Sequence, residues 1–441
     1  MKPHEICAAW KGDKHFAKIA KRAAELQKKG QQPPAILATL QAEFGSPPVV
    51  ARLREVAQPL RIYGEIGREI ESGALDQIKL ALRLPIAIRG ALMPDAHPGY
   101  ALPIGGVFEA HRAVAPAMVG VDIGCRMHLT LFDLPPTEFA RHRTPLFADL
   151  KAVTLFGTGQ GRDKPLDHPV LADSRWQRTK FIHNLLSKAT AQLGTSGSGN
   201  HFAELVMGER LGVEGDNIPQ TFAGLLTHSG SRGMGYEVAS HYIRLAAQEC
   251  KGSNIPHMYE WLDLDGEAGQ EYWAAMELAG AFAKANHELI HALFARRTGL
   301  KPLTVVQNHH NFAWRNGDKV IHRKGATPAE KGVLGVIPGS MGTSSYIVRG
   351  GGAEEALQSA SHGAGRTSSR AVAKDKFSLS AVRQQLKEAD ILIEGLSVDE
   401  APQAYKDIER VMQVQVEAGL VEPIARMRPV AVIMAGEKGR T

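Results

Sequence analysis

The residues best suited to chemistry sit in short blocks of glycine, serine and asparagine. These are PDAHPGY (94–100), GVDIGCR (120–126), GTSGSGNHFAEL (194–205), THSGSRGMG (227–235), NHHNFAW (308–314), HRKGAT (322–327), IPGSMGTSSY (337–346) and SASHGAGR (359–366). Small residues let backbone approach a ligand closely. Asp122 and Cys125 stand three apart around a glycine, a spacing that can aim a carboxylate and a thiolate at one cation. With His201, His228 and His310 they form a mixed O/S/N donor set, which suits a borderline transition ion better than Mg²⁺ or Ca²⁺. Taken singly, each is equally readable as an inert buried thiol or a satisfied histidine. Their shared setting favours a site.

The blocks have a second use. Successive small residues allow backbone N–H groups to cradle phosphate, and GTSGSGN, IPGSMGTSS and SHGAGR could each do so, although each also reads as a plain turn. None has the spacing of a P-loop or of GxGxxG. Arg323, Lys324, Arg349, Arg366 and Arg370 lie in or beside the same blocks and would hold further phosphates. Stacking aromatics among them are few, so backbone recognition is expected instead of base reading. A competing pattern is HELIH (287–291), which satisfies HExxH on a predicted helix. No third ligand follows at the usual offset, so it is read as coincidence among 18 histidines, and His287→Ala is expected to leave activity nearly unchanged.

These blocks need elements to position them. Residues 15–44 read as two amphipathic helices broken at GQQPP, with a basic polar face that is either solvated or touches RNA or another partner. Between 80 and 135, apolar runs bounded by glycine and proline (IAIRGALMP, ALPIGGVFEA, AMVGVDIG, MHLTLFDL) predict strands. A long loop is predicted over 157–179 and a long helix over about 270–297. Strands follow at LTVVQN, KVIHRK, VLGVIPG and SSYIVRG, then helices over about 379–395 and 400–418, then a last strand at RPVAVIMA. The elements do not alternate as βαβ units, so the expected class is α+β. A large mixed-sheet catalytic domain (65–441) would follow an N-terminal helical arm (1–64).

The 441 residues, 44% hydrophobic and 22% charged, describe a folded globular chain. No apolar run is long enough to span a bilayer and the first residues lack the order of a signal peptide, so no membrane partner and a cytoplasmic location are expected. Three scattered cysteines argue against a disulfide framework. The net charge of +6 is compatible with phosphate-rich partners without requiring them.

The order PDAHPGY, PIGG, GVDIGC, GSGNHF, HSGSRG, HHNFAW, HRKGAT, PGSMGTSSY, SHGAGR resembles the RtcB family of RNA-splicing ligases, from about residue 65 to the end. The resemblance implies an RtcB-like catalytic domain and a ligase dependent on Mn²⁺ and GTP. Such an enzyme joins RNA ending in a 3′-phosphate or 2′,3′-cyclic phosphate to a 5′-hydroxyl end, in tRNA splicing or RNA repair. It implies that His362 attacks GTP and carries GMP. Asp122, Cys125 and His201 would hold one Mn²⁺, and Cys125, His228 and His310 a second. The nucleotide pocket would be lined by Asn200, His201, Phe202, Ala203, Glu204, His310, Asn311, Pro338, Gly339, Ser340, Met341, Ser345, His362, Gly363, Ala364 and Gly365. Lys438, in the terminal GEKGR, matches a lysine that reads guanine. A monomer is the expected state. The chain departs from the family's frequent DINCG, with Gly124 in place of the asparagine and Arg126 in place of the glycine, and HRKGAT is followed by PAEKG. A metal-dependent phosphoesterase that opens cyclic phosphates without ligating is the alternative reading, and a non-catalytic RNA-binding module a third.

Overall fold

In the computed structural model, residues 2–10, 15–45, 51–212 and 216–436 are described. The predicted helix pair forms as Phe16–Lys28 and Pro33–Phe44, the second opened by proline at its first turn. Ile19, Ala23 and Leu26 recur at helical spacing and meet Ile36 and Leu40 in a cluster completed by Ile6, Cys7 and Trp10. Residues 51–62, grouped with this arm in the sequence reading, join the body instead. The strand Leu60–Ile62 pairs with Gly90–Leu92, and Arg54 donates to the carbonyls of Pro85 and Ala87.

Two large sheets carry most of the chemistry-bearing blocks, and a two-stranded one, Ala326–Pro328 with Ser359–Ser361, leads into His362. One large sheet has five strands in the order Leu60–Ile62, Ala87–Tyr100, Leu102–His111, Lys319–Lys324, Phe312–Asn316. The larger runs Leu334–Ile337, Ser345–Gly350, Val421–Met434, Phe202–Arg210, Thr221–Ser229, Arg126–Phe132, Pro302–His309, with Leu392–Glu394 parallel to Val421–Met434. The other pairings in this larger sheet are antiparallel, which agrees with an α+β body and excludes a doubly wound one. Pro429 is tolerated in a central strand because the ladder shifts register between Pro429 and Ala431.

Three predicted elements differ, one of them the helix expected over 400–418, which starts only at Ile408, where the Asp407 side chain caps it by accepting from Glu409 N–H. AMVGVDIG is a short helix, Pro116–Val119, followed by a turn, because Pro116 presets the helical φ and Gly120 leaves it at φ +97°. The helix predicted over 379–395 ends at Glu388, and residues 392–394 form a strand. The long helix Glu267–Thr298 ends at Gly299 in the left-handed conformation and lies against the Thr221–Ser229 and Arg126–Phe132 strands. Among the described residues no helix is long and apolar enough to cross a membrane.

Candidate active site

Asp122 and Cys125 occupy the turn that feeds the Arg126–Phe132 strand, which is why their spacing converges. Gly124 sits at φ +68°, and a Cβ there would come within 2.8 Å of the Gly280 Cα on the long helix. An asparagine could adopt that φ but would have no room, which accounts for the glycine at this position. His201 precedes the Phe202–Arg210 strand, His228 lies near the end of Thr221–Ser229, and His310 follows Pro302–His309. Neighbouring strands thus deliver all five donors to one end of the large sheet.

The donors form two groups that share one sulfur, Asp122/Cys125/His201 and Cys125/His228/His310, with the ligand atoms of each within 4.8 Å of one another. Cys125 Sγ lies 3.1 Å from His228 Nε2 and 3.5 Å from His201 Nε2. His201 Nε2 is 2.9 Å from Asp122 Oδ2, and His228 Nε2 is 3.3 Å from His310 Nε2. The far nitrogens settle the tautomers. His201 Nδ1 donates to the Ser196 carbonyl (2.8 Å) and His228 Nδ1 to the Asn200 carbonyl (3.1 Å), so each Nε2 presents a lone pair to the cluster. Burial pushes His228 down to about 3 and His310 well below its usual value. Burial, reinforced by Asp122, pushes the Cys125 thiol up. For Asp122 burial works upward, but His201 outweighs it and the carboxyl falls to about 2. Converging lone pairs beside a carboxylate and a thiol fit a borderline divalent ion.

His362 stands at the same opening. Its Nδ1 donates to Asp95 Oδ2 at 2.8 Å, and Asp95 is fully buried. Nε2 is therefore the nitrogen with the free lone pair, and the ring lies 4.9 Å from that of His310, centroid to centroid. Gly365, at φ +75°, passes so close to the Asp95 backbone that a Cβ would collide with its carbonyl oxygen. Gly365→Ala is expected to cost at least about 1–2 kcal/mol from the left-handed φ alone, read as a lowered melting temperature, and to displace His362 from Asp95. Among the described residues no protein acceptor pairs with the N–H groups of Gly363, Ala364 or Gly365.

A cavity of about 340 Å³ joins four of the five metal donors, Asp122, Cys125, His228 and His310, to His362. Its walls include Asn200, Phe202, Glu204, Asn311, Pro338, Gly339, Ser340, Met341, Ser345 and Gly363–Gly365. His201, expected in this wall, does not line it, since its ring lies between the Ser196 carbonyl and Asp122; nor does Ala203. Strand alternation turns this residue into the core with Phe132 and Leu205, while Phe202 and Glu204 face the cavity. Burial pushes Glu204 up to about 8. Lys438 lies outside the described residues.

Three expectations change. The Pro338–Ser345 loop is not an open anion cradle, because Gly339 N–H donates to Ser345 Oγ and Ser340 N–H to Thr343 Oγ1. Arg323 and Lys324 are buried structural cations. Arg323 binds Ser359 Oγ and the Leu357 carbonyl and lies over Trp314, while Lys324, lowered to about 7 by burial, holds the Ala117 and Tyr100 carbonyls. Arg349 is paired with Asp216 and Glu422, away from the cavity. Of these five cations Arg366 and Arg370 reach it, both held by Asp399 and Glu400.

The HExxH pair is not a metal site. His287 and His291 are buried on the face of the long helix that meets the sheet, bonded to Thr227 and Thr130, whereas Glu288 points outward to Lys284 and His168. Burial and the neighbouring His128 hold both imidazoles well below their usual pKa. Sequence reasoning assigned no role to Asp95 or His97. His97 is lowered to about 4 by burial and donates through Nδ1 to the Asp95 carbonyl.

The sequence model described as tRNA-splicing ligase RtcB matches residues 77–179 and 172–435. The chain belongs to the RtcB family. It is 32% identical over 408 residues to the RNA-splicing ligase RtcB of Escherichia coli (strain K12), an alignment covering 85% of this chain and 97% of that protein. The tRNA-splicing ligases RtcB of Nanoarchaeum equitans and Thermococcus kodakarensis are also each 32% identical, covering 85% of this chain and 95% and 94% of theirs. All five donors, His362 and the cavity lie within the RtcB match, whereas the Phe16–Lys28 and Pro33–Phe44 helices precede it.

Proposed function

We propose that this protein is a GTP- and Mn²⁺-dependent RNA ligase. It joins a 3′-phosphate or 2′,3′-cyclic phosphate end to a 5′-hydroxyl end through GMP carried on His362. One observation carries the reading: an imidazole oriented by a buried carboxylate opens into the same cavity as two donor groups sharing one cysteine.

His362 Nε2 attacks the α-phosphorus of GTP, forming a P–N bond as the bond to pyrophosphate breaks. Asp95 holds the proton on Nδ1 and stabilises the positive charge that the ring gains. Asp122, Cys125 and His201 would hold one ion, and Cys125, His228 and His310 the other. Bound there, divalent ions supply charge neutralisation at the phosphoryl oxygens. The N–H groups of Gly363–Gly365, which have no acceptor among the described residues, offer donors to the same oxygens, and Glu204, once ionised, can accept from the N–H groups of a guanine edge. GMP then passes to the RNA 3′-phosphate, restoring His362, and the 5′-hydroxyl attacks that phosphorus as GMP leaves. A cyclic phosphate is hydrolysed to the 3′-phosphate first.

Asp95→Asn should slow GMP attachment by about 10²–10⁴-fold, because the amide cannot stabilise the charged ring and can present a donor to Nδ1. Rapid-quench labelling with GTP measures it. The overall reaction is tested with two RNAs, one ending in a 2′,3′-cyclic phosphate and one beginning with a 5′-hydroxyl, incubated with Mn²⁺ with and without GTP. Joining only with GTP is expected. Ring opening without joining in both mixtures would replace the ligase with a phosphoesterase.

A further inference from the structure

A buried hydrogen-bond chain runs behind the metal donors and absorbs the HExxH histidines. His287 Nε2 lies 3.1 Å from the Ser229 carbonyl, which only accepts, so Nε2 carries the proton and Nδ1 accepts. Thr227 Oγ1 therefore donates to His287 Nδ1 (2.5 Å) and accepts from His291 Nε2 (2.8 Å), leaving His291 Nδ1 to accept from Thr130 Oγ1 (2.7 Å). One carbonyl thus fixes every proton in the chain. Thr227 and Ser229 flank His228 on its strand, so their side chains leave the opposite face of the sheet. Ser229 Oγ donates to the Ser196 carbonyl (2.8 Å), the same oxygen that accepts from His201 Nδ1 (2.8 Å).

We infer that the Thr130–His291–Thr227–His287 chain is a positioning device for the metal centre, setting the backbone of His228 and, through Ser229 and Ser196, the ring of His201. The inference rests on the metal reading above. Groups that orient metal ligands typically contribute 10–100-fold in affinity. Thr227 is the residue to change, because Thr227→Val keeps shape and β-branching and removes only the hydroxyl that joins the two rings.

The test measures Mn²⁺ binding to the full chain by the loss of the free-ion EPR signal. Activity is measured across Mn²⁺ concentrations alongside it. Thr227→Val is expected to bind Mn²⁺ about 10–100-fold more weakly, with kcat largely recovered at saturating Mn²⁺. Thr227→Ser is expected to restore the affinity. Thr130→Val, which cuts the chain at its outer end, should weaken binding by about threefold, and it carries the test if Thr227→Val does not fold. Unchanged affinity in both valine variants overturns the inference, as does a serine variant as weak as the valine one. A wild-type chain that binds no Mn²⁺ overturns the metal reading itself, a result distinct from a normal wild type beside unaffected variants.

Discussion

His362→Ala is expected to abolish attachment of GMP to the protein while leaving it folded. The effect on chemistry is complete because, among the described residues, no other nitrogen in the cavity has the same preparation. His228 and His310 direct Nε2 at Cys125 and at each other, and His97 spends Nδ1 on a backbone carbonyl. The effect on stability is smaller. His362 is flanked by Ser361 and Gly363 and its side chain is 16% exposed, so little packing is lost. The main cost is Asp95, whose Oδ1 already lacks a partner and whose Oδ2 would lose its own, a penalty of about 1–3 kcal/mol. Labelling with α-phosphate-labelled GTP and a thermal melt check both parts. Wild-type labelling would move the nucleophile elsewhere, and collapse of the fold would make His362 a structural residue.

Cys125→Ser should have the second-largest effect. Cys125 is 2% exposed and belongs to both donor groups, so under the proposed function its loss would remove a ligand from each of two ions at once. A serine hydroxyl has nearly the same shape but does not become an anion under these conditions, so the damage falls on the metal and not on packing. Metal content after dialysis is expected to drop from two ions per chain, and joining activity by at least about a thousandfold, near 4 kcal/mol in the barrier. Elemental analysis and the two-RNA assay give the two numbers. Full metal content in the serine variant would contradict a shared sulfur ligand.

What the sequence made legible follows from the range of the interactions. The Phe16–Lys28 helix was readable because Ile19, Ala23 and Leu26 repeat within one element. Asp122 and Cys125 were readable because one tight turn sets both. The Asp95–His362 pair was not, since 267 residues separate the partners and no local pattern links them. Arg323 and Lys324 were misread because a cation among small residues looks the same in sequence whether it faces solvent or, as here, satisfies buried carbonyls and hydroxyls. HELIH was rightly set apart from a zinc site. The expectation that His287 is dispensable for activity is what the proposed positioning chain puts to the test, because His287 Nε2 donates to the Ser229 carbonyl beside His228. The first residues of 51–64 had no periodicity to separate them from the preceding helices, and their place is fixed by distant partners such as the Arg83 carbonyl, which accepts from Arg54 N–H.

The central claim is that His362 Nε2 carries GMP. Incubation with GTP and Mn²⁺, followed by proteolysis under alkaline conditions and mass mapping, tests it most directly. A single GMP-sized addition, acid-labile and confined to the peptide containing His362, is the predicted result. GMP on any other residue, or none while RNA joining proceeds, would contradict it.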